Sequence, residues 1–314
     1  MLGVFGDLSK LEHLNISPDV VYQDVEHVKS FRENIIPIIW VPKTRREADG
    51  VEDIDGVHYL FAFNNSGCIA RPSIIEKTMH VLEEVAALGY SKLMLDAVRL
   101  PSPIDGKYFI TTCFCKHSIE LYPELVSLRN TVRQFILKPT PDMLLHLLEE
   151  LSTARTAHVE NFLSTVSDKA RQLGIELVAA VFPDPLSRYV GQYPQVLKKY
   201  LSEVHVMFYH KCNGAACLNA ETKALVNLLS SMGLDEGSIK ELILKLTGLS
   251  VEECGRSLRD LGEEIPINCL ETLVRKNKSI YGGLFVPILW LDKNITCKLS
   301  DYLKIYQDVD LFIP

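Results

Sequence analysis

A carboxylate stands where the chain is otherwise oily. Asp96 interrupts the run Leu93-Met94-Leu95-Asp96-Ala97-Val98, and a charge placed in a buried strand is costly unless a partner or a substrate meets it. Arg99 is the nearest cation in sequence. An Asp96–Arg99 pair closing the strand is the architectural reading, and a catalytic carboxylate is the chemical one. Two further acids compete for a role beside it. Asp184 lies in Val181-Phe182-Pro183-Asp184-Pro185, where flanking prolines would stiffen its loop, although Pro-Asp-Pro is also good turn chemistry. Glu271 follows the apolar run Ile265–Cys269, with an acidic residue in the first turn of a helix as the alternative.

Aromatic and hydrogen-bonding residues gather near the ends of the same kinds of run. Trp40, Tyr189, Tyr209 and Trp290 offer faces on which a sugar ring can stack, and Asn64, Asn65, Gln192 and His210 offer partners for its hydroxyls. Each aromatic also has a plain reading as core or rim packing. His210 is in addition a candidate general base for a hydrolase or lyase of another substrate class.

Eight cysteines raise a separate question. Cys113, Cys115 and His117, joined by Cys212 or Cys217, have ligand types suited to zinc, but the one-residue gap in Cys113-x-Cys115 is not the usual two-residue knuckle. A disulfide between loops and unlinked thiols are the other readings, and Cys254, Cys269 and Cys297 show no clustering in sequence. No His-x-His pair, no Cys-x3-Cys-x2-Cys and no Gly-x-Gly-x-x-Gly is present, so no cofactor is expected beyond a possible zinc ion.

These residues need elements to hold them, and short β-branched runs alternating with helical patterns predict repeated βα units around a parallel sheet. The expected strands are Leu2–Phe5, Val20–Gln23, Ile35–Val41, Lys92–Val98, Glu176–Phe182, Val204–Tyr209, Ile265–Cys269 and Gly283–Trp290. Eight such strands predict an α/β fold, a (β/α)8 TIM barrel formed by residues 1–314 as one domain, which suits a chain of 314 residues. Residues 44–72 form an excursion after the third strand, with a hairpin strand at His58–Phe63; counting that segment into the barrel would give nine. Residues 234–262 read as a small helical insertion before the seventh strand. Helical periodicity from Ile74 stops at Gly89, and a longer stretch from Met143 to Leu173 stops at Gly174. In such a barrel the chemistry belongs at the carboxyl ends of the strands, where Asp7, Asp24, Trp40, Asp96, Asp184, Tyr209, Glu271 and Trp290 fall.

Composition narrows the partners. With 47% hydrophobic and 23% charged residues the chain can bury a large core. A net charge of −7 without a basic stripe argues against a nucleic-acid partner. No apolar run reaches the roughly 18 residues of a membrane span, and Met1–Lys10 lacks the pattern of a secretion signal. A cytoplasmic protein acting on a small molecule or an oligosaccharide is the expectation, and Asn294-Ile295-Thr296 then reads as a chance triplet.

The segment Gly89-Tyr90-Ser91-Lys92-Leu93-Met94-Leu95-Asp96-Ala97-Val98-Arg99-Leu100-Pro101-Ser102 resembles the G-F-D-x-I-x-x-D-Y-I-R-F-P-S segment of a loosely defined group of glycoside-hydrolase-like barrels. The resemblance implies that this is the fourth barrel strand, with Asp96 as the catalytic carboxylate and Arg99 as its accompanying arginine. It continues into Thr112-Cys113-Phe114-Cys115-Lys116-His117-Ser118, similar to a C-F-C-x-x-C segment of some such barrels, with Ser118 in place of the third cysteine. A fainter likeness to the nucleophile strand of the α-amylase clan fails at Met94, where that clan has arginine. Glycoside hydrolysis commonly sets two carboxyl groups across the scissile bond, roughly 5 Å apart for retention and 6.5–9.5 Å for inversion. The resemblance therefore implies an enzyme with Asp184 or Glu271 as the second acid. A carbohydrate-binding or regulatory barrel without paired carboxylates is the alternative.

Overall fold

The computed structural model describes residues 2–6, 18–63, 65–290 and 309–313. Eight parallel strands close into a barrel in the order β1-β10-β9-β8-β7-β6-β3-β2, with helices around it. Its members are β1 (Leu2–Gly6), β2 (Val20–Asp24), β3 (Ile35–Trp40), β6 (Lys92–Asp96), β7 (Glu176–Val181), β8 (Glu203–Phe208), β9 (Phe285–Trp290) and β10 (Val309–Ile313). The remaining two, β4 (Val51–Glu52) and β5 (His58–Tyr59), form an antiparallel hairpin inside the excursion. The fold is the expected TIM barrel.

One expected strand is corrected. Ile265–Cys269 contributes no strand, because Pro266 caps the helix Ile267–Tyr281, whose buried residues Leu270, Leu273, Val274, Asn277 and Tyr281 recur at helical spacing. A five-residue apolar run cannot be told from a buried helix start by periodicity alone. The barrel instead closes through β10, which pairs with both β9 and β1. Residues 234–262 contain the helices Glu236–Thr247, Val251–Cys254 and Leu258–Glu263.

Strands covered by helices outside and side chains inside are apolar almost throughout, as the buried Leu177–Val181 and Val204–Phe208 runs illustrate. The amino-terminal end of the barrel departs from that rule. His205 bridges two carboxylates, its Nδ1 meeting Asp310 Oδ2 at 2.6 Å and its Nε2 meeting Glu203 Oε2 at 3.0 Å, and Lys92 reaches Glu203 at 2.6 Å. Burial works against the His205 charge, but the two carboxylates outweigh it and raise its pKa. Gly3 makes room for this arrangement: a methyl group there would fall 2.2 Å from Asp310 Oδ1 and 2.7 Å from the Tyr22 ring. Gly3→Ala is expected to cost about 1–3 kcal/mol by overpacking, read as a lowered midpoint in urea unfolding.

The helices that follow the strands end as the sequence predicts. Pro72–Ala87 stops before Gly89, and Pro141–Gln172 stops before Gly174, both glycines having positive φ. The second of these helices lays Leu144, Leu147, Leu151, Val159, Phe162 and Val166 against the barrel and also buries Arg155 and His158.

Candidate active site

Strand register brings the site together. Trp40 and Asp96 are direct neighbours across β3 and β6, each the last residue of its strand. Trp290 ends β9, and Tyr209 follows the end of β8. Together with Phe5, Ile38, Ala180 and Met207 from the strands, and Phe63 and residues 213 and 215–217 from loops, they line a cavity of about 250 Å³. It opens at the carboxyl ends of the strands, the catalytic face of this fold.

Asp96 presents part of its surface to this cavity. Burial raises its carboxyl from the ordinary 3.8 to about 6, against the opposing pull of the Ala97 backbone N–H and of the Arg99 charge. Ala97 has a left-handed backbone, φ 58°, which turns the chain immediately after the acid. Among the described residues no ion pair joins Asp96 to Arg99. The Arg99 guanidinium lies over the rings of Phe61 (5.3 Å) and Phe182 (5.0 Å), and its Nη1 donates to the Leu100 carbonyl at 3.0 Å. The strand is therefore not closed by the simple Asp–Arg pair that spacing suggests.

The wall around the acid is aromatic. Tyr209 and Trp290 meet edge to face at 5.4 Å, and Trp40 and Phe63 do so at 6.1 Å. Trp40 Nε1 donates to Ser66 Oγ at 3.0 Å, fixing the indole to the excursion. Phe63, 63% exposed, forms the rim. It rests on Gly214, where a side chain would approach the ring to 2.7 Å. Burial, with the nearby Asp96 charge, pushes the Tyr209 hydroxyl well above its ordinary pKa, so it stays a neutral donor.

The other sequence-selected residues lie elsewhere. Asp184 is buried and held bidentately by Arg188, with its backbone N–H donating to Asn277 Oδ1 at 2.8 Å. Glu271 sits in the helix Ile267–Tyr281, and its carbonyl accepts from Arg275. Neither lines the cavity. Asn65, Tyr189, Gln192 and His210 also fall outside the lining; Gln192 Oε1 accepts from the Phe182 N–H at 2.9 Å, the Tyr189 carbonyl accepts from Arg155, and burial lowers His210 to about 4. Asn64 and Asp7 lie outside the described residues.

Another buried carboxyl comes from a helix. Glu221, on the helix Leu218–Ser231, accepts from Ser102 Oγ (2.8 Å) and from the backbone N–H groups of Ile104 (2.8 Å) and Ala216 (3.0 Å). Burial raises it to about 7, eased by Arg99. Ser102 in turn forms a reciprocal cap with Asp105, which also receives the Ala62 N–H at 3.0 Å. Thus the Arg99-Leu100-Pro101-Ser102 stretch after Asp96 is tied to the Ala216 and Ala62 turns beside the cavity. In the sequence Glu221 looks like any helical glutamate, so nothing marked it.

The cysteines also regroup. Cys212 and Cys217 form a disulfide within one loop, and Cys254 and Cys269 form another, so Cys212 and Cys217 leave the proposed zinc set and Cys254 and Cys269 do associate. His117 pairs instead with Glu120 at 3.4 Å. Among the described residues, the group able to hold a metal is Cys68, Cys113 and Cys115, all buried, with their sulfurs within 4.8 Å of one another. Cys297 lies outside the described residues.

No family model matches the chain, and no curated protein matches it in sequence. Among solved structures it is similar to the PgaB (BpsB) glycoside hydrolase domain from Bordetella bronchiseptica, with 11% identity and a TM-score of 0.54 over 100% of this chain and 93% of that one. The glycoside hydrolase domain of PelA from Pseudomonas aeruginosa is similar at 14% identity and a TM-score of 0.47, over 100% and 94% of the two chains. The first likeness agrees with the closed parallel barrel, and it is a likeness of fold.

Proposed function

We propose that the chain is a carbohydrate-active hydrolase of glycosidase type in which Asp96 is the proton donor to the leaving oxygen. The observation that carries this reading is a carboxyl held near pKa 6 at the carboxyl end of a barrel strand, facing a cavity walled by Trp40, Tyr209 and Trp290. A general acid works best when its pKa lies near the working pH. At about 250 Å³ the cavity is smaller than the roughly 300–1,000 Å³ that engulfs a drug-sized molecule, which suits one sugar ring with the rest of an oligosaccharide lying outward across Phe63.

Such a mechanism commonly uses a second carboxyl group. Asp184 is committed to Arg188, and Glu271 is on a helix away from the lining, so neither is well placed to share a substrate with Asp96. The alternative reading, a carbohydrate-binding barrel, is favoured by one observation: Asp96 is the only carboxylate among the described residues that line the cavity.

Release of reducing ends from an oligosaccharide panel by wild type, set against Asp96→Asn, separates these readings. Hydrolysis by wild type alone supports the enzyme; equal binding by both proteins without hydrolysis by either supports the binding barrel. Trp290→Ala is expected to weaken sugar binding about tenfold, as loss of a central aromatic anchor does, measured by calorimetric titration. Unchanged affinity would move the sugar away from this wall.

A further inference from the structure

Two of three clustered buried thiols and one hydroxyl have the spacing of three corners of a tetrahedral zinc site. Cys68 and Cys115 sulfurs are 3.9 Å apart, and Ser118 Oγ is 3.3 Å from Cys115 and 3.6 Å from Cys68. Tetrahedral zinc, with zinc–sulfur bonds of about 2.3 Å and zinc–oxygen bonds of about 2.1 Å, sets sulfur–sulfur edges of roughly 3.8 Å and sulfur–oxygen edges of roughly 3.6 Å. Cys113 completes the set, and its sulfur receives the Glu52 backbone N–H at 3.4 Å, the kind of contact that orients a thiolate ligand.

A second observation points to an anion at this place. Arg155 is 1% exposed, and among the described residues no carboxylate forms an ion pair with it. Its guanidinium spends its bonds on the carbonyls of Tyr189, Phe109 and Thr112, the last immediately before Cys113. A buried cation of this sort calls for a compensating charge. One divalent ion on three thiolates carries a net charge of −1.

We propose that Cys68, Cys113, Cys115 and Ser118 bind one zinc ion, whose anionic thiolate complex is the counter-charge of Arg155. Three thiol protons leave as the ion binds. The ion fastens the excursion, through Cys68, to the segment after the fourth barrel strand, and so holds Phe63 and Ser66 over the cavity. The site is structural, since all its ligands are buried and no cavity-lining residue belongs to it.

Elemental analysis of the full chain expressed with added zinc tests this first, because it needs no variant. One zinc retained per chain through gel filtration is expected; a chain that retains no zinc would overturn the proposal. Cobalt exchanged into the same protein should give the visible bands of tetrahedral cobalt and near-ultraviolet thiolate charge transfer. Ser118→Cys should raise that charge-transfer intensity by about a third by adding a fourth thiolate, and Cys115→Ala should abolish stoichiometric retention. Failure of cobalt to generate thiolate bands in wild type, or a Cys68–Cys115 disulfide found by mass mapping of the native protein, would contradict the site.

Discussion

Asp96→Asn is expected to lower turnover by about 10²–10⁴-fold while leaving substrate affinity within a few-fold, the span that a positioned general acid supplies. Asparagine keeps the shape and the ability to accept from the Ala97 N–H, but it has no proton to give. The loss should depend on the leaving group. Glycosides with an acidic phenol as leaving group need little protonation, so the variant should recover much of its rate on them, whereas alkyl glycosides should stay poor substrates. In wild type the rate should fall as pH rises through about 6, where Asp96 gives up its proton. A variant equally impaired on both kinds of glycoside would assign Asp96 to another step.

The same substitution carries a stability signature of opposite sense. Asp96 binds its proton more tightly in the folded chain, at about 6, than in the unfolded one, near its ordinary 3.8. Its contribution to stability is therefore complete below about pH 4 and is lost as pH rises through 6. Asparagine has no such loss. The stability of Asp96→Asn relative to wild type should shift in the variant's favour by on the order of 3 kcal/mol between pH 4 and pH 8. His158 and His210, both lowered to about 4 by burial, titrate with the opposite sign, but they are common to both proteins and cancel in the difference. Glu221→Gln should show a similar shift, displaced upward because the folded pKa is about 7. Its amide must still meet the donors of Ile104 and Ala216, so it starts from a lower baseline. Paired urea titrations at several pH values measure both differences.

The barrel was legible because buried parallel strands are written as short apolar runs with helical spacers. Ile35–Trp40 and Glu176–Val181 need no partner information to be seen. Val309–Ile313 was missed, since Asp310 breaks its apolar run; that aspartate is justified only by His205, more than a hundred residues away. The count of eight holds even though Ile267 begins a helix, because Val309–Ile313 supplies the remaining strand. At the site, Trp40, Asp96, Tyr209 and Trp290 could be gathered from the sequence alone because each stands at a strand end, and strand ends converge in a barrel. Asp184 shows the limit of that rule: it too follows a strand, but Arg188, one helical turn on, engages its carboxylate. Glu221 is invisible for a different reason: its partner Ser102 is brought to it only by tertiary folding. Cys68 falls among the loop cysteines of the active face in the sequence, but folding alone selects Cys113 and Cys115 as its partners.

Carbon-13 NMR of aspartate-labelled protein, with and without an oligosaccharide that binds, reads the proton on Asp96 directly. A carboxyl resonance titrating near pH 6, absent from Asp96→Asn and displaced when the sugar is added, is the predicted result. A resonance titrating near 4 and indifferent to the sugar would contradict the assignment of Asp96 as a proton donor in a carbohydrate site.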